Sequence, residues 1–517
     1  MFILSYAFGI SCVNSSIIYY PKHFIDLYCI RMTSDESKDH SSCAAVQSSS
    51  DSEPLLDDPS AVSQRSRRQD CITVVILFSV NLLNYMDRFT IAGKIRSMAI
   101  TFAGIPNMIR DYYGIDSKLL GLLQTSFVVS YMSLSPVFGY FGDRWKRKYL
   151  IVIGLILWSV VTLASSFVPP NVVLRCLVGV GEASYSTLAP TLLTDLFAED
   201  ARTQVLGFFY FAVPVGSGLG FVMGSCIAES LNNWAWALRI TPALGLLCIL
   251  ALVFFHQDPP RGRADGASHL HTTSWWADIK TLFMNWCYLL VSFGFTGTCF
   301  VLGALSWFAV DFIQAAINAR TNNPREADKY NVALFFGICT CFAGLLGVVL
   351  GSFLGRKLRV FTSVAEPYVC GGGLLLSAPF IYASLLSPYF NFYLCMFFVF
   401  VGQLLICLNW ALVADMTMSI VIPTRRATAN ALQMVLSHSL GDAISPLIIG
   451  TIADAQAHSD SLEWHYLGMQ RSLFLTVFVC IVAGFLLLLS SWYLVPAKER
   501  VHFIIDGKST SFLQSLT

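Results

Sequence analysis

The sequence predicts an all-α polytopic membrane protein with twelve spans arranged as two halves of six. Three observations carry that prediction. Of 517 residues, 55% are hydrophobic and only 13% are charged, whereas soluble domains carry about a quarter. Apolar stretches of about 20 residues, the length a bilayer requires, recur along the chain. A loop motif in the first half also has an echo in the second. The net charge of +1 gives no field that points to nucleic acid.

The twelve apolar stretches are 71–93, 118–142, 149–168, 171–197, 203–231 and 234–256, then 286–317, 330–354, 365–386, 389–421, 425–453 and 471–495. Several contain Gly, Pro or one charge, which transporter helices tolerate where they line a cavity. Loop charge sets the orientation. With the N-terminus in the cytosol, eighteen Lys and Arg between Arg65 and Arg500 fall on the cytosolic side, against eight in the loops opposite. The positive-inside rule then places both termini in the cytosol. The fifteen cysteines are scattered, mostly in apolar runs such as those around Cys226, Cys248 and Cys395, with no CxxC pair. They read as small packing residues rather than ligands.

The segment before the first span and the middle segment are polar, but the first 31 residues are not. Residues 1–31 are apolar and aromatic but lack a basic n-region and a cleavage site. They read as a membrane-associated leader or as wrongly joined upstream sequence, with the second favoured and Met32 the start. Residues 32–70, rich in Ser and Asp, read as a disordered cytosolic tail. In that tail Asp51-Ser-Glu-Pro-Leu55-Leu56 has the form of an acidic dileucine sorting signal, which implies a clathrin adaptor as partner. Residues 71–256 form the first half and 285–497 the second. The polar segment 257–284 joins them, and 498–517 form a cytosolic tail. The pair Trp275-Trp276 reads as an interfacial anchor on a helix lying along the membrane.

After the second span the chain reads Gly139-Tyr-Phe-Gly-Asp143-Arg144-Trp-Lys-Arg147-Lys148. Glycine lets two helices approach closely, and Asp143 suits a basic partner or a helix N-terminus. The basic residues alone are explained by orientation; Gly139 and Asp143 are not. In length, spacing and position the segment resembles the loop signature of the major facilitator superfamily. It implies the twelve-helix major facilitator fold, with Gly139, Asp143, Arg144, Arg147 and Lys148 as a cytosolic gate. Gly351-Ser-Phe-Leu-Gly355-Arg356-Lys357 lies 212 residues further on, at the equivalent place in the second half. It has glycine where the first copy has Asp143, so a weaker or differently held second gate is expected.

Ionisable residues inside spans are expensive, about 2.5–3.5 kcal/mol each at mid-helix, and therefore point to function. Span 1 carries Asn84, Tyr85, Asp87 and Arg88. Adjacent residues project about 100° apart, so Asp87 and Arg88 face different partners. Span 4 carries Arg175 and Glu182 on one face, with Ser186 continuing the stripe. Span 11 carries His438 and Asp442, four apart, followed by Ser445. A proton carrier needs a buried acid reset by a nearby cation, and Asp87 and Glu182 are the candidates. A structural ion pair between spans 1 and 4 is the competing reading. Arg88 and Arg175 also suit an anionic headgroup. His438 fits a pH sensor, a substrate donor or a packing residue. Asp311, Asp415 and Asp454 lie nearer span ends and read as interfacial.

Five segments carry a narrower resemblance. They are Asn84-Tyr-Met-Asp-Arg-Phe-Thr-Ile-Ala-Gly93, Val178-Gly-Val-Gly-Glu-Ala-Ser-Tyr-Ser-Thr-Leu-Ala-Pro-Thr-Leu192, Asn409-Trp-Ala411, Pro423-Thr-Arg-Arg-Ala-Thr-Ala429 and Ser437-His-Ser-Leu-Gly-Asp442. Across residues 70–497 the chain resembles the spinster proteins. The resemblance implies a carrier exporting lysophospholipids or sphingoid lipids from late endosomes or lysosomes, proton-coupled in some members. It implies Asp87, Arg88, Arg175 and Glu182 as coupling and cavity residues, with Asn84, Tyr85, Ser186, His438 and Trp410 completing the expected cavity. One departure is the stretch Lys94–Gly104, in which Thr101-Phe-Ala-Gly104 nearly repeats Thr90-Ile-Ala-Gly93. It reads as an unusual splice form or a gene-model error. No triad, metal cluster or phosphate loop is present in the sequence, so neither an enzyme nor a cofactor is expected. A carrier of a small organic anion or drug on the same fold is the second reading, and a non-transporting receptor the third.

Overall fold

The computed structural model describes residues 59–92, 117–168, 171–230, 235–267, 269–323, 325–456 and 461–507. The leader, the dileucine signal at Asp51, Leu55 and Leu56, and the segment 94–104 lie outside the described residues. The chain separates into two units, Met1–Cys71 and Ile72–Thr517. In the first, the described residues are the opening turns of a helix. The second holds the helical bundle.

The first half of the bundle contains α1 (Pro59–Ala92, the helix that begins in the other unit), α2 (Ser117–Arg144), α3 (Arg147–Ser165), α4 (Val172–Leu196), α5 (Glu199–Ser230) and α6 (Ala235–Phe255). A short α7 (Trp275–Phe283) follows in the connecting segment. The second half contains α8 (Trp286–Thr321), α9 (Val332–Arg359), α10 (Ala365–Leu386), α11 (Phe392–Ile406) with α12 (Asn409–Ser419), α13 (Arg426–Ser437) with α14 (Ser445–Gln456), and α15 (Leu462–Leu489). A last helix, α16 (Ser491–Ile505), runs across the boundary at which the sequence reading begins a tail.

Among the described residues, ten helical stretches are long and apolar enough to cross a membrane. Helices α2 and α5, of 28 and 32 residues, complete the twelve. Both face the other half. Helix α2 packs on α13, and α5 packs on α9. At the first seam a Cβ on Gly139 would stand 2.7 Å from Ala431 Cβ and 3.0 Å from the Ala427 carbonyl oxygen. At the second, a Cβ on Gly207 would collide with Ser352 Oγ. Missing side chains thus let the helix backbones meet. Within the halves, α4 packs on α2 and α3, and α15 packs on α8 and α10.

Two spans are broken. The tenth turns at Cys407–Leu408, between α11 and α12. The eleventh opens into a π-helical turn at His438–Asp442, where the Ala443 N–H reaches the His438 carbonyl at 3.0 Å. Such turns concentrate at functional positions. Gly441 makes this one possible, since a Cβ there would lie 2.8 Å from Cys299 Cβ on α8.

Candidate functional site

Helix α1 brings two adjacent charges to different neighbours. Arg88 reaches α4, with Nη1 3.9 Å from Glu182 Oε1. Asp87 turns towards α3 and α6. It accepts from Trp158 Nε1 at 3.3 Å and from Thr241 Oγ1 at 3.1 Å. Asp87 is 2% exposed and Glu182 5%, so both carboxylates sit in the packed interior. Arg175 and Glu182 share a face of α4. Seven residues of helix separate them by about 10.5 Å along the axis, so Arg175 does not close on Glu182. Its guanidinium lies 4.7 Å from the centre of the Phe127 ring, which Arg88 also approaches at 5.3 Å. Arg175 Nε and Nη2 are buried without a hydrogen-bond partner among the described residues, and so are the nitrogen and the oxygen of the Asn84 amide.

Residues of the second half face this group. His438 Nδ1 lies 3.0 Å from each oxygen of Asp442. Its ring meets Tyr131 of α2 edge-on at 5.3 Å, and Tyr131 donates to Met434 Sδ at 3.4 Å. Asn430 donates to the Thr187 carbonyl at 3.0 Å. Ser186 spends its hydroxyl on the Glu182 carbonyl at 2.9 Å. Trp410 stands between Phe295 of α8 and Tyr210 of α5, with ring centres at 5.6 and 6.3 Å. Tyr85 packs near α5, where a Cβ on Gly216 would lie 2.8 Å from Tyr85 Cβ. The result is a paired charge cluster on α1 and α4, an unpaired arginine beside it, and aromatic rings from both halves.

A second group closes one end of the bundle. Asp143 accepts from the Ala427 and Thr428 N–H groups at 3.0 and 2.8 Å and from Thr428 Oγ1 at 2.6 Å. An acid of the first half thus caps α13 of the second. Asp195, at the end of α4, lies 2.6 Å from Arg147 Nη1 and 3.4 Å from Arg426 Nη1. The connecting segment joins in. Asp265 lies 2.7 Å from Arg426 Nη2. Asp278 of α7 bridges Arg144 at 3.1 Å and Arg425 at 2.7 Å. Lys148 donates to the Val253 and His256 carbonyls at 2.8 and 2.6 Å, placing a cation at the C-terminus of α6. Asp258 accepts from the Arg147 and Lys148 N–H groups at the start of α3. Burial raises its carboxyl, and the charge of Arg147 opposes that rise.

The pseudo-symmetric counterpart differs. Asp415, expected at an interface, is instead 1% exposed. It lies 2.5 Å from Arg202 Nε and 2.9 Å from Arg359 Nη2, and it accepts from Thr203 Oγ1 at 2.5 Å. Nearness to a span end gave the wrong reading because the other half covers that end. Arg359 also pairs with Glu366 at 2.7 Å, and Lys498 of α16 reaches the same carboxylate at 3.0 Å. Asp311 and Asp454 are exposed.

The sequence reading missed Trp158 and Thr241, because nothing local marks an indole or a hydroxyl as the partner of a distant acid. It also missed Asp195, Arg202 and Arg359. Their signal was available. The spacings 195 to 415, 202 to 426 and 147 to 359 repeat the offset of the loop motif to within a few turns.

Comparisons with known proteins agree with this architecture. The family model described as Major Facilitator Superfamily matches residues 77–446. "Protein spinster homolog 1" of Mus musculus is 44% identical over 456 residues, covering 86% of this chain and 84% of the mouse protein. Its Homo sapiens counterpart is 43% identical over 453 residues, covering 85% and 84%. Among solved structures, a bacterial homologue of the human lysosomal transporter spinster, inward-facing and unoccupied, superposes with a TM-score of 0.54. That alignment covers 83% of this chain and 98% of the bacterial one; at 20% identity it speaks for the fold alone. By the match of the superfamily model and the extent of its identity to these relatives, the chain belongs to the spinster family of the major facilitator superfamily, whose members are transporters and not enzymes.

Proposed function

We propose that this transporter carries a single-chain lipid, a lysophospholipid or a sphingoid lipid such as sphingosine or sphingosine 1-phosphate, by proton-linked alternating access. The observation that carries the reading is the set of Arg88, Glu182, Asp87 and Arg175, the last with Nε and Nη2 free of hydrogen bonds, beside aromatic rings from both halves. A headgroup needs charged or polar partners out of water, and an acyl chain needs apolar walls. Arg175 and Asn84 offer unsatisfied polar atoms to the headgroup. Phe295, Tyr210 and Trp410 offer surface to the chain. Asp87 and Glu182 carry the proton, and the acid–arginine group around Asp143 is the cytosolic gate. With the charge bias of the loops, both termini face the cytosol. The late endosome or lysosome membrane is the favoured location, through Asp51, Leu55 and Leu56 and a clathrin adaptor; the plasma membrane is the alternative.

Uptake of labelled lysophospholipid or sphingosine into vesicles, with and without a proton gradient, tests the proposal. Glu182→Gln removes the charge facing Arg88 and is expected to cut gradient-driven uptake on the order of tenfold or more. Equal rates in wild type and variant would remove the coupling. Failure to move either lipid would favour the second reading, a small organic anion, which the two buried arginines also suit. For location, Leu55→Ala with Leu56→Ala is expected to move the protein to the cell surface in fluorescence microscopy; an unchanged distribution defeats the sorting role.

A further inference from the structure

We propose that Trp158 of α3 and Thr241 of α6 are positioning residues that clamp the Asp87 carboxylate and set the pH window of transport. The proposal rests on the coupling reading above and adds to it. One carboxylate oxygen takes the indole N–H at 3.3 Å and the other takes the threonine hydroxyl at 3.1 Å. The partners are 71 and 154 residues away in sequence, so three helices meet at this carboxylate.

The clamp is built into the packing. Trp158 is 1% exposed and Thr241 1%. Two glycines make room for the indole. A Cβ on Gly181 of α4 would stand 2.8 Å from Trp158 Cβ, and one on Gly245 of α6 would stand 2.7 Å from its ring carbon Cζ3. Thr241 lies one turn before Gly245, on the same face of α6. Helix α6 therefore supplies both the space that orients the indole and the second donor.

The chemistry of the donors matters. Both are neutral, so they favour the ionised carboxylate without adding a competing charge. The charged groups around Asp87 are Arg88, the next residue, together with Arg175 and Glu182 on α4. Helices α3 and α6 present neutral donors to it, among the described residues. Arg88 is held by Glu182 instead. Asp87 thus takes up its proton against the charge of Arg175 and against these two neutral hydrogen bonds.

The test uses the full chain reconstituted in lipid vesicles, with wild type, Thr241→Val, Thr241→Ser, Trp158→Phe and Asp87→Asn. Infrared difference spectra across pH give the carbonyl band of protonated Asp87, assigned by its absence in Asp87→Asn. In Thr241→Val and in Trp158→Phe the midpoint of that band is expected to rise by about one pH unit, a tenfold change in the proton equilibrium. Thr241→Ser keeps the hydroxyl and is expected to keep the wild-type midpoint, which separates a lost donor from a damaged fold. The pH profile for uptake of labelled sphingosine or lysophosphatidylcholine is expected to move with the band. Midpoints unchanged in both donor-deleting variants overturn the clamp. A band that moves while the uptake profile stays fixed overturns the coupling reading, since the clamp then governs a proton that drives nothing.

Discussion

The two inter-half latches share one plan and differ in how much is added to it. In each, an acid at the end of the fourth helix of its half sits between two arginines, one from its own half and one from the other. Asp195 holds Arg147 and Arg426; Asp415 holds Arg359 and Arg202. The first latch then gains Asp143 beneath α13 and two acids of the connecting segment, Asp265 and Asp278. The second has Gly355 in place of Asp143. It relies on the hydroxyl of Thr203, with Glu366 and Lys498 alongside. A repeat therefore keeps the charge triad as a geometric unit, and the two latches become unequal through what surrounds it. The lighter latch rests mainly on Asp415, with Glu366 on Arg359 and Asp265 3.9 Å from Arg202, whereas the heavier adds Asp143 and Asp278.

That inequality can be broken deliberately. The largest effect is expected for Asp415→Asn, which leaves buried Arg202 and half-buried Arg359 beside a neutral group. Breaking a buried pair costs about 3–5 kcal/mol, and Glu366, which keeps hold of Arg359, places the cost at the low end. Spin-label distances across the α5–α9 seam are expected to show the latched population lost; an unchanged distribution would sink the central place given to Asp415. A smaller effect is expected for Asp143→Ala, which strips the first latch to the plan of the second. The hydrogen bonds to a charged acceptor are worth about 1.5–3 kcal/mol each, but water replaces part of that at a helix end. A net loss of about 2 kcal/mol, read as partial opening across the α2–α13 seam, is the expectation. A loss as large as that of Asp415→Asn would mean that Asp195 and the connecting segment contribute little.

Much of this was legible in advance, for identifiable reasons. Apolar run length follows from bilayer thickness, so the spans could be counted. The motif at Gly139 and its echo at Gly351 marked the repeat, and Gly355 in place of Asp143 marked a difference between its two copies. Adjacency on α1 forecast that Asp87 and Arg88 would part company. What failed was the assignment of partners. Asp415 was read from its place near a span end, yet its arginine lies 213 residues away. Arg175 shares a face with Glu182, yet Arg88 of another helix takes that carboxylate.

The sequence by itself determined that the chain crosses a membrane, that it does so in two related halves, and which residues bear a charge where charge is costly. These are properties of single segments, set by length, hydropathy and helical periodicity. Only the tertiary structure decided which charges meet. Periodicity gives the face on which a residue lies, while partnership depends on which faces pack together and how deeply neighbouring glycines let them approach. The indole of Trp158 reaches Asp87 because Gly181 and Gly245 leave it room. That is a fact about three helices at once, and no one of their sequences contains it.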